Sequence, residues 1–357
     1  MLFLALIFPG DAYNLLKSRF RPTLLLVFCV VVLLLQACGN TSHEYLVSGR
    51  VMGTSYSVKL VADSEIPVAQ ITDLEARIGE VLTRVDELMS TYKEESELSR
   101  FNRLPAGEEM TLSPETYAVI KRSLVIMADT DGYFDPGVSD LVNLWGFGPE
   151  GMVNKVPDQE QIAAALEIIG PGAVELVEST RSVLKVRDVR FDLSAIAKGY
   201  AVDRVAQLLG GQALKGFLVE VGGEIYASGQ SQRDRPWILG IERPDVIGQR
   251  AFSTVMLSGQ AMATSGDYRN YFEVDGRRYS HTIDPGTGYP IKNTLASVSV
   301  IADSCADADA LATALMVMGL EKGYQHAVDN GLNAYFIYRT DNGFNERFTK
   351  GFEAFIH

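Results

Sequence analysis

Ile71, Leu74, Ile78, Val81, Val85 and Leu88 recur at helical spacing, which lays one apolar stripe along a single long helix. That stripe constrains the rest of the fold, because a one-sided helix is stable only when a sheet or other helices cover it. The remaining sequence supplies both. Arg50–Ala62 alternates apolar and polar residues as a strand does. Ser113-Pro114-Glu115 is a cap with proline at the first helical position, and the helix it opens stops near Gly132. Pro157-Asp158 opens a shorter helix ending near Gly170-Pro171, and β-rich runs around Val174 and Val183 form a hairpin leading to Phe191. A helix over Ala195–Leu209 is stopped by Gly210-Gly211. Strands follow near Leu218, Ile238, Phe252, Tyr271 and Val298, and Asp307–Met318 is a buried helix capped by Asp303 or Ser304. Helices and strands mix without strict alternation. This predicts an α+β fold with two subdomains packed around a cleft.

The N-terminus stands apart from that fold. Lys17, Arg19 and Arg21 precede an unbroken apolar run, Leu24 to Leu35, which ends at Gln36-Ala37-Cys38. A basic segment, a short apolar core and a small residue before the cut describe a secretory signal. The run is short for a membrane span, which needs about 20 apolar residues. Cys38 after Leu-Gln-Ala resembles a bacterial lipobox, whose thiol takes a lipid once residues 1–37 are removed. An uncleaved anchor and ordinary cleavage are the alternatives. Met1–Gly10 is a further apolar piece that such a signal does not need. Residues 38–49 then read as a polar tether and residues 50–357 as one functional region.

The chain carries 45 acidic and 32 basic residues, a formal net charge of −13, and residues 1–37 remove three of the basic ones. No clustered Lys and Arg offers a surface for tracking phosphates, so nucleic acid is excluded as a partner. A phosphorylated ligand meets a repulsive average field and needs a local cation, a helix N-terminus or a metal. Outside the leader, with Cys38 at its boundary, Cys305 is the one cysteine. No disulfide framework exists, and stability must come from core burial.

Gly146-Phe147-Gly148-Pro149-Glu150-Gly151 fits G-x-G-x-x-G, but a helical stretch, Asp140–Trp145, precedes it. A dinucleotide fingerprint needs a strand there and a helix opening within it, so that reading is dismissed. Three other segments carry chemistry. Phe191–Tyr200 runs from a strand end into a helix whose first N–H groups attract anions. Lys198 lies near that first turn, where the helix dipole disfavours a cation; it either faces a bound phosphate or is a solvated surface lysine. Asp309 and Thr313 share one helix face beside small Ala310 and Ala312. They either hold a hard cation such as Mg²⁺ or are ordinary helix-terminal polar residues. His281, in Ser280-His281-Thr282-Ile283-Asp284-Pro285-Gly286-Thr287-Gly288, leaves a strand into a tight turn. It is either a general base for a hydroxyl or a structural hydrogen-bonder. The other histidines are His43 in the tether, His326 on a surface helix and the terminal His357.

Taken together, an ordered set of short motifs now stands out. It comprises Met52-Gly53-Thr54, Ser90-Thr91-Tyr92, Gly132-Tyr133-Phe134-Asp135, Trp145-Gly146-Phe147-Gly148, Asp192–Gly199, Gly222-Gly223, a Thr264–Tyr268 turn, His281–Pro285 and Asp309-x-x-x-Thr313. Over residues 50 to about 320 the chain resembles the ApbE family. The resemblance implies a periplasm-facing, membrane-anchored lipoprotein that binds FAD in a cleft between two subdomains. It would transfer FMN from FAD to a threonine of another protein, with Mg²⁺ and release of AMP. It implies that Met52 and Tyr92 contact the isoalloxazine or adenine, and that Trp145, Gly146 and Phe147 form a loop beside the flavin. Asp192, Lys198 and the backbone of Ile283 are further FAD contacts, and the Ala195 carbonyl, Asp309 and Thr313 are Mg²⁺ ligands. Ala312 stands where some relatives carry an acid. His281, or Asp284 beside it, would take the threonine proton. Competing readings are an FAD pyrophosphatase and a flavin-binding lipoprotein without catalysis. The acceptors expected by resemblance are exported subunits of sodium-pumping NADH–quinone reductases and related redox complexes.

Overall fold

The strand expected over Arg50–Ala62 is in fact a hairpin. In a computed structural model describing residues 42–151, 156–244, 251–267, 271–274 and 276–357, β1 (His43–Val51) and β2 (Thr54–Ala62) pair antiparallel. Both turn residues have positive φ, 50° at Met52 and 72° at Gly53, the geometry that suits the twist of a two-residue hairpin. The adjacent apolar pair Val51-Met52 and the run Gly53-Thr54-Ser55 break the alternation at that turn. The polar tether expected over residues 38–49 is a sheet strand from His43 onward. Cys38 and Tyr268 lie outside the described residues.

The hairpin starts an eight-stranded sheet. Its order is β1, β2, β6 (Gly216–Val221), β7 (Glu224–Gly229), β10 (Gln260–Gly266), β13 (Leu295–Ala302), β14 (Asn333–Thr340) and β15 (Gly343–Phe348). Every pairing in it is antiparallel. Thr264–Gly266, expected in a turn, is the end of β10 and pairs with β13. Three small antiparallel sheets surround this one. They are β3 (Glu109–Thr111) with β5 (Ser182–Lys185) and β4 (Val174–Val177), β8 (Trp237–Glu242) with β9 (Ala251–Leu257), and β11 (Tyr271–Val274) with β12 (Arg277–Ser280).

The long helix α1 (Val68–Met89) buries Leu74, Ile78, Leu82, Val85 and Leu88 and packs on α6 (Ser194–Gly210). Between them come α2 (Glu97–Asn102), α3 (Pro114–Asp129), α4 (Ser139–Leu144) and α5 (Gln159–Ile168). Ser113 caps α3 by accepting the Thr116 N–H at 3.3 Å, as its sequence predicts. The chain closes with α7 (Cys305–Met318), α8 (Leu320–Asp329) and the short α9 (Lys350–Glu353). Residues 43–357 form one contact unit, so the predicted cleft lies between two walls of that unit.

Helices α6 and α7 meet backbone to backbone. Ala306, Ala310 and Ala314, spaced four apart, keep one face of α7 free of bulk, and Gly199 rests against its first turn. A Cβ on Gly199 would lie 2.6 Å from the Cys305 carbonyl carbon and 2.8 Å from Ala306 Cα, closer than side chains tolerate. Asp203 of α6 fastens the same junction. Its carboxylate accepts the Cys305 and Ala306 N–H groups at 2.8 and 3.0 Å and the Ser304 hydroxyl at 2.8 Å. These bonds satisfy donors that a helix start leaves orphaned. Ser304 itself caps α7 by accepting from Asp307 N–H at 3.3 Å. Cys305, fully buried, directs its thiol toward the Ile225 carbonyl at 3.6 Å.

Candidate active site

A cavity of about 760 Å³ opens beside that junction. One wall is the 133–147 region, the other the ends of β7 and β10 with α7, and α6 points its N-terminus between them. Asp135 anchors the first wall by accepting the N–H groups of Gly137 and Gly170 at 2.7 and 2.9 Å. Burial raises its carboxyl above the usual range against those bonds. The Asp192 N–H donates to Pro136 O at 2.7 Å, and its carboxylate accepts the Ser194 N–H at 2.8 Å. The wall is thereby tied to the start of α6.

Lys198, Asp309 and Thr313 all line this cavity. Asp309, 4% exposed, accepts the Gly199 N–H at 3.2 Å and faces the Lys198 ammonium at 3.5 Å. One turn on, the Thr313 hydroxyl shares a 2.9 Å hydrogen bond with Ser265 of β10. The sequence did not reveal the second partner of Lys198, which is Glu224 at 2.7 Å. Glu224 is 3% exposed and lines the cavity, and its Oε2 is buried with no hydrogen-bond partner. Burial pushes its carboxyl up to about 7, while Lys198 pulls the other way. Burial likewise raises Asp309. Burial opposes charge on Lys198 too, yet Asp309 and Glu224 outweigh it and hold the ammonium protonated. An acid placed directly after Gly222-Gly223 was the available signal for Glu224.

Lys198 is the one lysine or arginine among the described residues lining the cavity, against Asp135, Asp192, Glu224, Glu242 and Asp309. Such a wall repels a phosphate unless a cation intervenes. Among the described residues no three His, Cys, Asp or Glu side chains cluster to hold a metal. Cavity-lining residues nevertheless offer hard oxygen donors in the Asp309 carboxylate, the Thr313 hydroxyl and the Ala195 carbonyl. Hard oxygens built around one carboxylate, with phosphates and water completing the shell, suit Mg²⁺. The residues present fit that ion.

His281 lines the cavity at the end of an aromatic series. Trp145 stacks on Tyr279 at 5.3 Å, Tyr279 on Phe272 at 5.3 Å, and Phe147 lies 5.3 Å from Phe272 and 6.3 Å from the His281 ring. Ile283 also lines the cavity. Asp284 does not. Its two carboxylate oxygens accept the Gly286 N–H at 2.9 Å and the Thr287 hydroxyl at 3.1 Å, so it shapes its own turn. Trp145 is also absent from the lining and fully buried, its Nε1–H donating to Gly288 O at 2.8 Å. Gly146, at φ 79°, redirects the chain, and Phe147 rather than Trp145 faces the cavity. Tyr92 lines it from outside, largely exposed, with its hydroxyl donating to Phe147 O at 3.3 Å. Met52 sits at the hairpin tip against the core and is not among the lining residues.

The chain is similar to known proteins over most of its length. The sequence profile of the ApbE family matches residues 52–336. A Vibrio cholerae protein named FAD:protein FMN transferase is 42% identical over 93% of this chain and 98% of its own length. An Escherichia coli K12 protein of the same name is 36% identical over 89% and 90%. The crystal structure of a flavinyl transferase ApbE from Pseudomonas stutzeri, in its apo form, superposes with a TM-score of 0.80 at 40% identity, covering 88% of this chain and 96% of that one. With its profile, relatives and fold in accord, the chain belongs to the ApbE family.

Proposed function

We propose that this protein is an FAD:protein FMN transferase that moves FMN from FAD to a threonine of an acceptor protein and releases AMP. The observation that carries the reading is the convergence of His281, Lys198, Asp309 and Thr313 on one cavity. The names of its relatives support it. Mg²⁺ held by Asp309, Thr313 and the Ala195 carbonyl would neutralise charge growing on the pyrophosphate oxygens. Lys198 binds the phosphates. Phe147 and Tyr92 offer aromatic surface for a flavin or adenine ring. The cleft aligns the acceptor hydroxyl in line with the FMN phosphorus. Its oxygen forms the new P–O bond, the anhydride P–O bond breaks, AMP departs, and the hydroxyl proton passes to His281. Asp284, committed to its own turn, does not compete for that proton.

The reading extends to the cell envelope. The Leu24–Leu35 run and Leu-Gln-Ala-Cys support a lipid on Cys38 and a periplasmic face. Acceptors would then be exported subunits of the sodium-pumping NADH–quinone reductase type. Incubation with FAD, Mg²⁺ and such a subunit, followed by intact-mass analysis, tests the activity. The acceptor gains one FMN as one AMP appears. FMN and AMP released with no gain on the acceptor would make the protein a pyrophosphatase instead. Asp309→Ala abolishes both reactions while the protein stays folded, and a chelator reproduces the loss in wild type. Full transfer by Asp309→Ala in chelated buffer refutes the metal assignment.

A further inference from the structure

The asymmetry around Lys198 is informative. Its ammonium is 2.7 Å from Glu224 Oε1 but 3.5 Å from Asp309 Oδ2. Two buried carboxylates thus compete for one cation, and Glu224 holds it more closely. In a desolvated site the loser of such a contest decides what else can bind, because an ammonium in contact with a carboxylate occupies the lone pairs a metal would use. Glu224 is rigidly placed for this role. It follows Gly222 and Gly223, both at positive φ, and opens β7, whose first residue pairs with Val221 of β6. Among the described residues its other oxygen has no hydrogen-bond partner, and Lys198 is the one side chain hydrogen-bonded to it.

We propose that Glu224 is a positioning residue that holds Lys198 off Asp309 and so keeps the Asp309 carboxylate available to a divalent cation. Without Glu224, the lysine closes on Asp309 as the remaining carboxylate within reach. Lys198 then blocks the metal rather than serving the phosphates. The inference rests on the metal reading of Asp309, and the test separates the two.

The test is a double-mutant cycle of Mn²⁺ binding, measured by calorimetry on full-length protein without FAD. Glu224→Met replaces the carboxylate with an apolar side chain of similar length and leaves no unpaired acceptor. It should weaken Mn²⁺ binding by about tenfold or more, the scale of close charge-pair couplings. Lys198→Met should raise affinity somewhat in wild type, where the ammonium already lies 3.5 Å from Asp309, but by about tenfold more in the Glu224→Met background. If Glu224 acted only as a distant negative charge, the effect of removing Lys198 would be the same in both backgrounds. That additive result overturns the proposal and leaves the metal site standing. A structure of Glu224→Met in which Lys198 stays 3.5 Å or more from Asp309 overturns it as well. Wild type that binds no Mn²⁺ even with ADP present removes the metal reading itself, and this proposal with it. Thermal melts of all four proteins confirm that each is folded.

Discussion

Gly199→Ala tests how tightly the site depends on the α6–α7 junction. Alanine suits a helix interior, and the exchange alone should stabilise α6 by about 1 kcal/mol. The new methyl, however, would stand 2.6 Å from the Cys305 carbonyl carbon and 2.8 Å from Ala306 Cα. These are backbone atoms of α7, which no rotamer change can remove. Restoring ordinary contact requires the helices to part by about 1 Å. Overpacking of this kind typically costs about 1–3 kcal/mol, so the net change should be a loss of up to about 2 kcal/mol. Separation also stretches the 3.2 Å bond from Gly199 N–H to Asp309 and moves Lys198 relative to Asp309 and Thr313. A displacement of about 1 Å between reacting groups can cost about 10²-fold in rate. Urea unfolding and FMN transfer, measured on the same preparations, should therefore show a modest stability loss with a disproportionate loss of rate. Unchanged stability with full transfer would refute the claim that the two helices are held at backbone contact.

His281→Ala should slow transfer by about 10²–10⁴-fold while FAD affinity changes little; binding lost with normal turnover of bound FAD would make the histidine a ligand-positioning residue. Trp145→Phe removes the Nε1–H donor to Gly288 and leaves that carbonyl unpaired, a loss of about 1–3 kcal/mol in stability, read by denaturant titration. Flavin fluorescence in the bound state should be nearly unchanged, and a large spectral change would place Trp145 at the ring after all. Cys38→Ser should release or misprocess the protein without altering its flavin chemistry; lipid labelling and membrane fractionation decide, and normal acylation of the serine variant defeats the assignment.

Much of the fold is written in local patterns. The α1 stripe, the Ser113 cap and the Ser304 start of α7 follow from spacing and capping chemistry that act within a few residues. Other features depend on distant partners. β10, Gln-Ala-Met-Ala-Thr-Ser-Gly, lies inside the sheet between β7 and β13 and is built of small residues with no alternation to detect. The site shows the same division. Lys198 stands out as a cation near a helix N-terminus, Asp309 and Thr313 as a shared helix face and His281 as a histidine entering a tight turn, although each also fits an ordinary structural role. Trp145 and Asp284 are not among the residues lining the cavity, because adjacency in sequence does not tell which way a side chain faces. Trp145 and Phe147 are two residues apart, yet one fills the core and the other faces the cavity. Glu224 leaves only a faint signal, an acid directly after Gly222-Gly223, because its meaning arises only when β7 is brought against α6.

Cys305 gives the molecule a built-in clock. Burial, with Asp203, Glu224 and Asp309 nearby, raises its thiol well above the usual range, so the reactive thiolate is suppressed in the closed protein. Its backbone is the surface against which Gly199 rests and its thiol is buried against Ile225 of β7, so a thiol reagent can reach Sγ only while the packing of α7 against α6 and β7 is open. When reclosing is faster than labelling, the labelling rate multiplies the intrinsic thiol rate by the fraction of time spent open. That fraction is set by the free energy of local opening at the very seam where Lys198 and Asp309 meet. A ligand spanning both helices must slow the clock in proportion to its occupancy and affinity. Nucleotides and metals can thus be ranked by labelling kinetics alone, with no acceptor protein and no turnover.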